Sequence, residues 1–285
     1  MPAKIKVLMI GDVAGPLGCA MLQKSLPSLK AKYQADAVIV NGENSAENGR
    51  GITPKLVEFF ISCGVNVITT GNHIWAKKEI VALLSSQTGD RVQLLRPANF
   101  PNSTPGSGLT FFDLQIQTKN SNQATQFVTV GVLNLQGRVF MKESLDCPFR
   151  TADTALSYMR SKTKIILVDM HAETSAEKIG LGFYLDGRVS AVVGTHTHVP
   201  TADARILPKG TAFITDLGFT GAYNSMIGMQ KEAVLSTFLT QMPHKFVVDV
   251  LPPAVLSGVC ITIDINSGLA DKIENFSILD HDVKA

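Results

Sequence analysis

Residues 6–12, KVLMIGD, form a short apolar run that stops at a glycine and an aspartate. The same pattern returns at residues 37–44, AVIVNGEN, and at residues 67–73, VITTGNH. Helical patterns near residues 17–33 and 54–63 separate these three runs, which are the length of β-strands. The resulting β-α-β-α-β order predicts a mostly parallel sheet.

The rest of the chain adds more short elements. Residues 109–117 and 127–133 are predicted as consecutive strands, with the polar segment 118–126 as a hairpin tip. Further helices are predicted at residues 153–161 and 175–185, and further strands at residues 164–168, 191–194, 204–207, 212–215, 245–250 and 259–265. We expect the last four of these strands to be antiparallel.

The arrangement of the elements predicts the fold class. A parallel sheet buries both faces, and a second sheet built from the hairpin-like strands can pack behind it. We therefore expect an α/β fold, a four-layer α/β/β/α sandwich. No repeat, low-complexity block or linker divides the sequence, so residues 1–285 are expected to form a single domain.

Composition excludes several classes of protein. The chain has 26 Lys and Arg against 24 Asp and Glu, so its net charge of +2 provides no strong field for a polyanion. Aromatic residues make up 7% and the basic residues are dispersed, so strong nucleic-acid binding is not expected. Asp and Pro residues interrupt the most apolar later stretch, residues 246–265, which predicts no membrane span. The four cysteines are scattered without a C-x-x-C pair, which favours reduced thiols in a soluble cytoplasmic protein.

Polar side chains follow five of the predicted strands at the point where each strand ends. They are Asp12, Glu43, Asn44, Asn72, His73, His171, His196 and His198. Because ligands of open α/β sheets bind at the carboxyl ends of the strands, these side chains should meet on one rim. Four of the six histidines lie in these loops, and only His244 and His281 do not.

Each of these residues has a structural alternative when it is taken alone. Asp12 follows a glycine at a strand end, where an aspartate often makes a turn or caps a helix. Glu43 follows an Asn-Gly turn signal and can be a solvated loop carboxylate. Asn72 can cap the helix that carries Trp75, and a lone histidine such as His171 is more often a hydrogen-bonded structural residue. Together, however, the set favours a metal site.

The donor atoms of the set indicate the class of metal. Two carboxylates, two amide oxygens and three imidazoles, without a thiolate, suit Mn, Fe, Zn or Co better than Cu(I), Mg or Ca. The His196-Thr197-His198 pair can direct two imidazoles to two different ions. Two ions about 3.5–4 Å apart need a bridging carboxylate and acidify a bridging water into a nucleophile. Glu43 is the natural bridge, and His73 can donate a proton to the leaving oxygen.

Five motifs carry a resemblance to a known family: Gly11-Asp12, Gly42-Glu43-Asn44, Gly71-Asn72-His73, Asp169-Met170-His171 and Gly194-Thr195-His196-Thr197-His198. They resemble those of the calcineurin-like metallophosphoesterases, and more closely the bacterial YmdB family, known for hydrolysing 2′,3′-cyclic nucleotides. The resemblance runs from about residue 6 to residue 229, with the motifs in the family's order. It implies the four-layer sandwich of the metallophosphoesterase type and a metal-dependent phosphoric diester hydrolase.

The sequence departs from the wider superfamily at two positions, and both departures are features of the YmdB branch. Ala14 stands where the superfamily has a histidine, and Glu43 where it has the bridging aspartate. The resemblance implies two ligand sets, one catalytic acid (His73) and one bridge (Glu43). Asp12, Asn44 and His198 are then ligands of one ion, and Asn72, His171 and His196 of the other. Fe or Mn is the preferred metal, with Zn or Co as alternatives.

Two features are left open by the sequence. Residues 218–229 also resemble the family, and they are either a loop beside the phosphate pocket or a structural turn. Asp216 can orient a ligand histidine, although a helix or turn cap is the more common role of such a residue.

Three functions are compatible with this site. The first is a dinuclear-metal phosphodiesterase acting on 2′,3′-cyclic nucleotides or related small phosphodiesters, with a metal-activated hydroxide as nucleophile. The second is a phosphomonoesterase or nucleotidase, because a dinuclear site activates water for either reaction. The third is a non-catalytic regulator that binds a nucleotide, against which His73 argues, since a pure binder has no need of a proton donor. A homo-oligomer is compatible with all three.

Overall fold

The structure is a computed structural model that describes residues 4–117 and 125–282. Its strands are β1 (Lys4–Ile10), β2 (Asp12–Val13), β3 (Ala37–Asn41), β4 (Val67–Thr69), β5 (Leu109–Gln117), β6 (Thr125–Gln136), β7 (Ile165–His171), β8 (Ala191–Thr195), β9 (Arg205–Ile206), β10 (Ala212–Ile214), β11 (Phe219–Ala222), β12 (Ala254–Asp264) and β13 (Ala270–Leu279). Its helices are α1 (Gly15–Tyr33), α2 (Pro54–Ser62), α3 (Ile80–Ser86), α4 (Pro148–Met159), α5 (Ser175–Leu185) and α6 (Lys231–Thr240), with 3₁₀ turns at Ile74–Ala76 and Asp280–Asp282.

Two sheets organise these strands. In the first sheet the order is β2-β11-β12-β1-β3-β4, and β13 pairs with β12. In the second sheet the order is β5-β6-β7-β8-β10-β9. Strands β1, β3 and β4 are parallel, as the sequence predicts, and β6, β7, β8 and β10 are parallel as well. The carboxyl ends of these parallel strands therefore lie together at one edge of each sheet.

Side chains of β1 show how the layers are held together. Ile5, Val7 and Met9 are buried between the two sheets, whereas Leu8 and Ile10 belong to the core under the helices of the first sheet. Each such side chain, fully buried, contributes about 1.5–3 kcal/mol. Helices α4 and α5 cover the outer face of the second sheet through a third core cluster. The predicted four-layer α/β/β/α sandwich is thus confirmed.

The turn after β1 depends on a glycine. A Cβ atom on Gly11 would lie 2.1 Å from the carbonyl oxygen of Gly218, so only glycine permits this close approach. The approach lets Asp12 pair with Phe219 in the parallel β2–β11 ladder. It therefore places Asp12 at the edge of the sheet, where the other strand ends meet.

Some sequence-based predictions were wrong. Residues 245–250 form no strand, because only Val248 makes an isolated bridge, to Met229, while Phe246, Val247 and Val250 are exposed. Strand β10, predicted as antiparallel, is antiparallel to β9 but parallel to β8, because the chain crosses back through β9 before it enters the sheet. Of the predicted hairpin tip, residues 118–124 lie outside the described residues, although β5 and β6 on either side are antiparallel neighbours.

Other elements had no clear signal in the sequence. Strands β2 and β11 are very short, and helix α6 buries Val234 alone among its residues. Strands this short offer too few residues for a pattern of alternation, and a helix with a single buried residue shows no apolar face. Within residues 4–117 and 125–282, no helix combines the length and the hydropathy needed to cross a membrane.

Candidate metal centre

The predicted site residues lie at the strand ends where the two sheets meet. The register aligns Gln136, His171 and Thr195 across β6, β7 and β8, so these strands end at the same level. His171 is itself the last residue of β7, which extends three residues beyond the predicted strand. The contacts described below join all eight predicted side chains or their backbones into one cluster.

One group of donor atoms surrounds the Nε2 atom of His171. Oε1 of Glu43, Oδ1 of Asn72 and Nδ1 of His196 each lie 3.0 Å from it. The His171 side chain is fully buried, so bulk water does not compete for these atoms. Four ligand atoms of carboxylate, amide and imidazole type converging on one point are what a transition-metal ion requires. Glu43, His171 and His196 alone already satisfy the mutual distances of a metal site.

A second group lies beside the first. Oδ1 of Asp12 is 3.8 Å from Nε2 of His198, and Oδ1 of Asn44 is 3.4 Å from the same nitrogen. Oδ2 of Asp12 accepts the His196 backbone N–H at 3.2 Å, but the buried Oδ1 has no hydrogen-bond partner. A buried carboxylate oxygen without a partner is costly. A cation at this place would satisfy it, so the residues fit a second metal ion.

Electrostatics within the cluster set the protonation of its members. Burial raises the pKa of Asp12 to about 8, although the His171 charge acts in the opposite direction. Burial is the largest single effect on Glu43 and His171 and opposes their charges, but their attraction and hydrogen bond, together with other nearby charges, outweigh it, so the pKa of Glu43 falls to about 2 and that of His171 rises to about 9. Burial, together with the charge of His171, lowers the pKa of His196 to about 3. Without a metal ion, His171 is therefore cationic at neutral pH and His196 is neutral.

The loop that carries His196 and His198 is held in an uncommon backbone conformation. The φ angles of these two residues are 101° and 63°, in the left-handed region that is unfavourable for side chains other than glycine. Oδ2 of Asp216 accepts hydrogen bonds from the backbone N–H and the hydroxyl of Thr197, at 3.2 and 2.8 Å. The buried Lys178 donates to the same oxygen at 2.6 Å. Asp216 thus fixes the residue between the two histidines and, in this structure, bonds to neither imidazole.

Residues 218–229 support His198 directly. Nδ1 of His198 donates to the carbonyl oxygen of Ile227 at 2.8 Å, and its ring stacks on Phe219 with centroids 5.5 Å apart and planes at 4°. Because the proton is on Nδ1, the Nε2 atom is left to face Asn44. This contact gives the segment a definite structural role beside the centre.

His73 lies above the cluster, at the start of the 3₁₀ turn. Its backbone N–H donates to Oε2 of Glu43 at 3.1 Å, and its Nδ1 is 3.5 Å from Nδ2 of Asn72. Burial lowers the pKa of His73, whereas the carboxylates of Glu43 and Glu143 raise it, and Arg50 lowers it further. The partly buried imidazole is therefore close to both negative and positive side chains.

Gly71 is what permits this arrangement. A Cβ atom at Gly71 would lie 2.0 Å from the His171 ring. A larger residue would push Asn72 and His73 away from the other donor atoms. The Gly-Asn-His motif therefore combines a close approach with an amide oxygen and an imidazole at the cluster.

Several residues of the site were not singled out from the sequence. Glu173 places Oε2 3.0 Å from Nε2 of His196, and the Lys178 ammonium supports Asp216 as described above. Asp169 and Thr195 lie in the motifs quoted from the sequence. Thr195 contacts Nδ1 of His171, and its hydroxyl donates to Asp169. For Asp169 a signal existed, because residues two apart on a strand face the same side and His171 is two residues further on.

Comparison with protein families gives a match to the family described as YmdB-like protein, over residues 8–276. Among curated proteins, the 2′,3′-cyclic-nucleotide 2′-phosphodiesterase of Bacillus subtilis (strain 168) is 45% identical over 276 residues, which cover 97% of this chain and 98% of that protein.

Solved structures extend the comparison to the fold. A novel phosphatase from Mycoplasma pneumoniae matches with a TM-score of 0.85 and 35% identity, covering 98% of this chain and 95% of that one. The calcineurin-like phosphoesterase YfkN from Bacillus subtilis matches with a TM-score of 0.63 and 9% identity, covering 100% and 93% of the two chains. At that identity the likeness shows the fold alone, and it is the metallophosphoesterase type that the sequence predicts.

Proposed function

The chain belongs to the YmdB-like protein family, and on that premise we propose that it is a dinuclear-metal phosphodiesterase that hydrolyses 2′,3′-cyclic nucleotides or related small phosphodiesters. The observation that carries the proposal is the convergence of Glu43, Asn72 and His196 on Nε2 of His171 at 3.0 Å each. The name of the Bacillus subtilis relative supplies the substrate class.

The contacts support two ligand sets. Asn72, His171 and His196 would hold one ion, and Asp12, Asn44 and His198 the other. Glu43 would lie between them, and its two oxygens already face different neighbours, Oε1 the His171 ring and Oε2 the His73 peptide. The donor chemistry favours Fe or Mn, with Zn or Co as alternatives. When bound, such ions supply Lewis acidity and lower the pKa of a water molecule to near neutrality.

The chain's own residues complete the reaction. Hydrolysis adds the elements of water to phosphorus and breaks the P–O2′ bond, so the departing ribose oxygen needs a proton. His73, next to the centre and outside both ligand sets, would hold that proton. Although burial lowers the pKa of His73, an anionic phosphodiester beside it acts in the opposite direction. Binding of the substrate would therefore shift the pKa of His73 upward, toward the protonated imidazole that a proton donor requires.

A substrate panel tests the proposal. The protein, reconstituted with Mn or Fe, should turn over 2′,3′-cyclic nucleotides to 3′-phosphates, with kcat/KM well above that for nucleoside monophosphates. The products can be separated by chromatography against authentic 2′- and 3′-phosphates. Good turnover of monoesters with none of the cyclic diesters would instead favour a phosphomonoesterase, and tight nucleotide binding without turnover of either would favour a regulator.

We further propose that residues 1–285 act as one domain in the cytoplasm. In support of the first point, strands of both sheets contribute to one shared core. In support of the second, all four cysteines are free thiols, as expected in a reducing compartment. Weak affinity for nucleic acid remains a prediction from the small net charge of +2.

A further inference from the structure

A buried polar chain lies beneath His171, on the side away from the proposed ion. The hydroxyl of Thr195 donates to Oδ1 of Asp169 at 2.7 Å and lies 3.0 Å from Nδ1 of His171. The register of the parallel strands explains the contact, because Thr195 of β8 is the direct neighbour of His171 on β7. Asn41, from the other sheet, donates to the same hydroxyl oxygen at 3.4 Å, and its amide nitrogen lies 3.5 Å from Nδ1 of His171, so the Thr195 hydroxyl at 3.0 Å is the nearer partner of that nitrogen. All four side chains are essentially inaccessible to solvent.

The direction of these hydrogen bonds decides where the imidazole carries its proton. A hydroxyl has one hydrogen, and that of Thr195 is directed to Asp169. The oxygen can therefore only accept from His171, which requires a proton on Nδ1. A neutral imidazole with its proton on Nδ1 has its lone pair on Nε2, and Nε2 is the atom that faces Glu43, Asn72 and His196.

We infer that Asp169 and Thr195 are positioning residues that keep the proton of His171 on Nδ1, through a carboxylate–hydroxyl–imidazole relay, and so reserve Nε2 for a metal ion. The inference rests on the proposed function, because it concerns a ligand of the proposed centre. Removing a group that orients a ligand histidine typically costs about 10–100-fold in metal affinity. The same loss is expected when the Thr195 hydroxyl is removed.

The chain offers a matched control for this loss. The hydroxyl of Thr69 donates to Oδ2, the other oxygen of the Asp169 carboxylate, and Thr69 is as buried as Thr195. Among the hydrogen bonds of the described residues, Thr69 has none to His171. Thr69→Val therefore removes a hydroxyl from the same carboxylate while the Thr195–His171 contact remains. Both valine variants keep the β-branched shape, so their effects on packing should be similar.

The experiment compares metal affinity in four proteins: wild type, Thr195→Val, Thr195→Ser and Thr69→Val. Each is stripped of metal and titrated with zinc against a chelating competitor, and thermal unfolding of the metal-free proteins checks that the two valine variants are destabilised alike. Thr195→Val should bind one of two zinc ions about 10–100-fold more weakly. Thr195→Ser, which restores the hydroxyl, and Thr69→Val should remain near the wild-type affinity.

A second measurement does not depend on the folding of any variant. In zinc-loaded wild-type protein with isotope-labelled histidine, nuclear magnetic resonance should show the His171 proton on Nδ1 and the metal on Nε2. Equal losses of affinity in Thr195→Val and Thr69→Val, or a metal bound through Nδ1, would overturn the relay alone. Failure of the wild-type protein to bind zinc, iron or manganese would overturn the proposed function, and the relay with it.

Discussion

The site has a buried floor and a partly exposed rim, and the two are built differently. The floor consists of Asp12, Glu43, Asn44, His171 and His198, and the rim of Asn72, His73 and His196. Side chains of the floor are at most 9% exposed, whereas that of His196 is 19% exposed and lies against Glu173 at the surface. Asp12 and His171 stand within strands, and Glu43 and Asn44 lie in the turn that follows β3, so the sheets fix most of the floor.

The rim is fixed by loops and by the floor itself. The His73 peptide is bonded to Glu43, the Asn72 amide to His171, and the His196 peptide to Asp12. On the proposed ligand sets, the floor would supply most of the metal-binding atoms, whereas the rim would add Asn72 and His196 as ligands and His73 as the proton donor to the substrate.

Glu43→Gln tests the floor most severely. The substitution keeps the shape of the side chain but removes the charge that stands between both ligand sets and pairs with His171. We expect weak binding of both ions and almost no turnover, because neither ion would be neutralised or held in place. Metal content and kcat are measured on the same sample. Two tightly bound ions with near-normal activity would show that Glu43 is only a loop residue.

His73→Ala tests the rim. A ribose alkoxide is a poor leaving group, so loss of the proton donor should reduce kcat on 2′,3′-cyclic nucleotides by about 10²–10⁴-fold. A nitrophenyl phosphodiester leaves as a stabilised phenoxide and should lose much less. Both ions should remain bound, since His73 lies outside the ligand sets.

The nitrophenyl phosphodiester is the control substrate for the loss of activity in His73→Ala. Equal losses on both, with the metal retained, would remove the general-acid role. Loss of an ion would instead show that His73 is itself a metal ligand.

Asn44→Ala separates the two ions within the floor. Asn44 faces Nε2 of His198, and Ala14 leaves the first motif without the histidine of the wider superfamily. The variant should therefore lose one ion preferentially, with about 10–100-fold weaker binding, an effect like that of losing a supporting residue. A crystal structure of the variant with both ions at full occupancy and unchanged distances would contradict this assignment.

The pH dependence of metal affinity distinguishes floor from rim without any mutation. The pKa of His171 is raised to about 9, so in the metal-free protein the floor carries a proton that an ion must displace. Affinity should therefore rise by about tenfold per pH unit between about pH 8 and 9, rise more steeply below pH 8, where Asp12 with its pKa of about 8 holds a second proton, and level off above pH 9. His196, whose pKa is lowered to about 3, adds no dependence there. An affinity that is flat across this range would exclude His171 as a ligand.

The sequence was sufficient to predict the elements that depend on a local pattern of apolar residues. Strand periodicity placed β1, β3, β4, β7 and β8, and the rule that ligands gather at carboxyl ends then predicted that Asp12, Glu43 and the histidines would lie together. The same local reasoning failed at residues 245–250, whose apolar residues are mostly exposed, and at α6, which has almost no buried face. Periodicity predicts burial, and it fails where apolar residues are not buried.

The supports of the site depend on neighbours that are distant in sequence. Thr195 contacts His171 across a strand pair, and Lys178 contacts Asp216 from a helix. The carbonyl oxygen of Ile227, in a separate loop, accepts a hydrogen bond from His198. Their roles follow from the register and the packing of the two sheets, which no single stretch of sequence encodes. Side chains that support the predicted metal ligands are therefore harder to find in the sequence than the predicted ligands themselves.

Metal content of the wild-type protein tests the dinuclear centre most directly. Protein purified without added metal and then reconstituted with Fe or Mn is washed free of excess ion and measured by elemental analysis against its amino-acid content. Two ligand sets joined by Glu43 predict about two transition-metal ions per chain. A reproducible value of one ion or less after reconstitution would contradict a dinuclear centre.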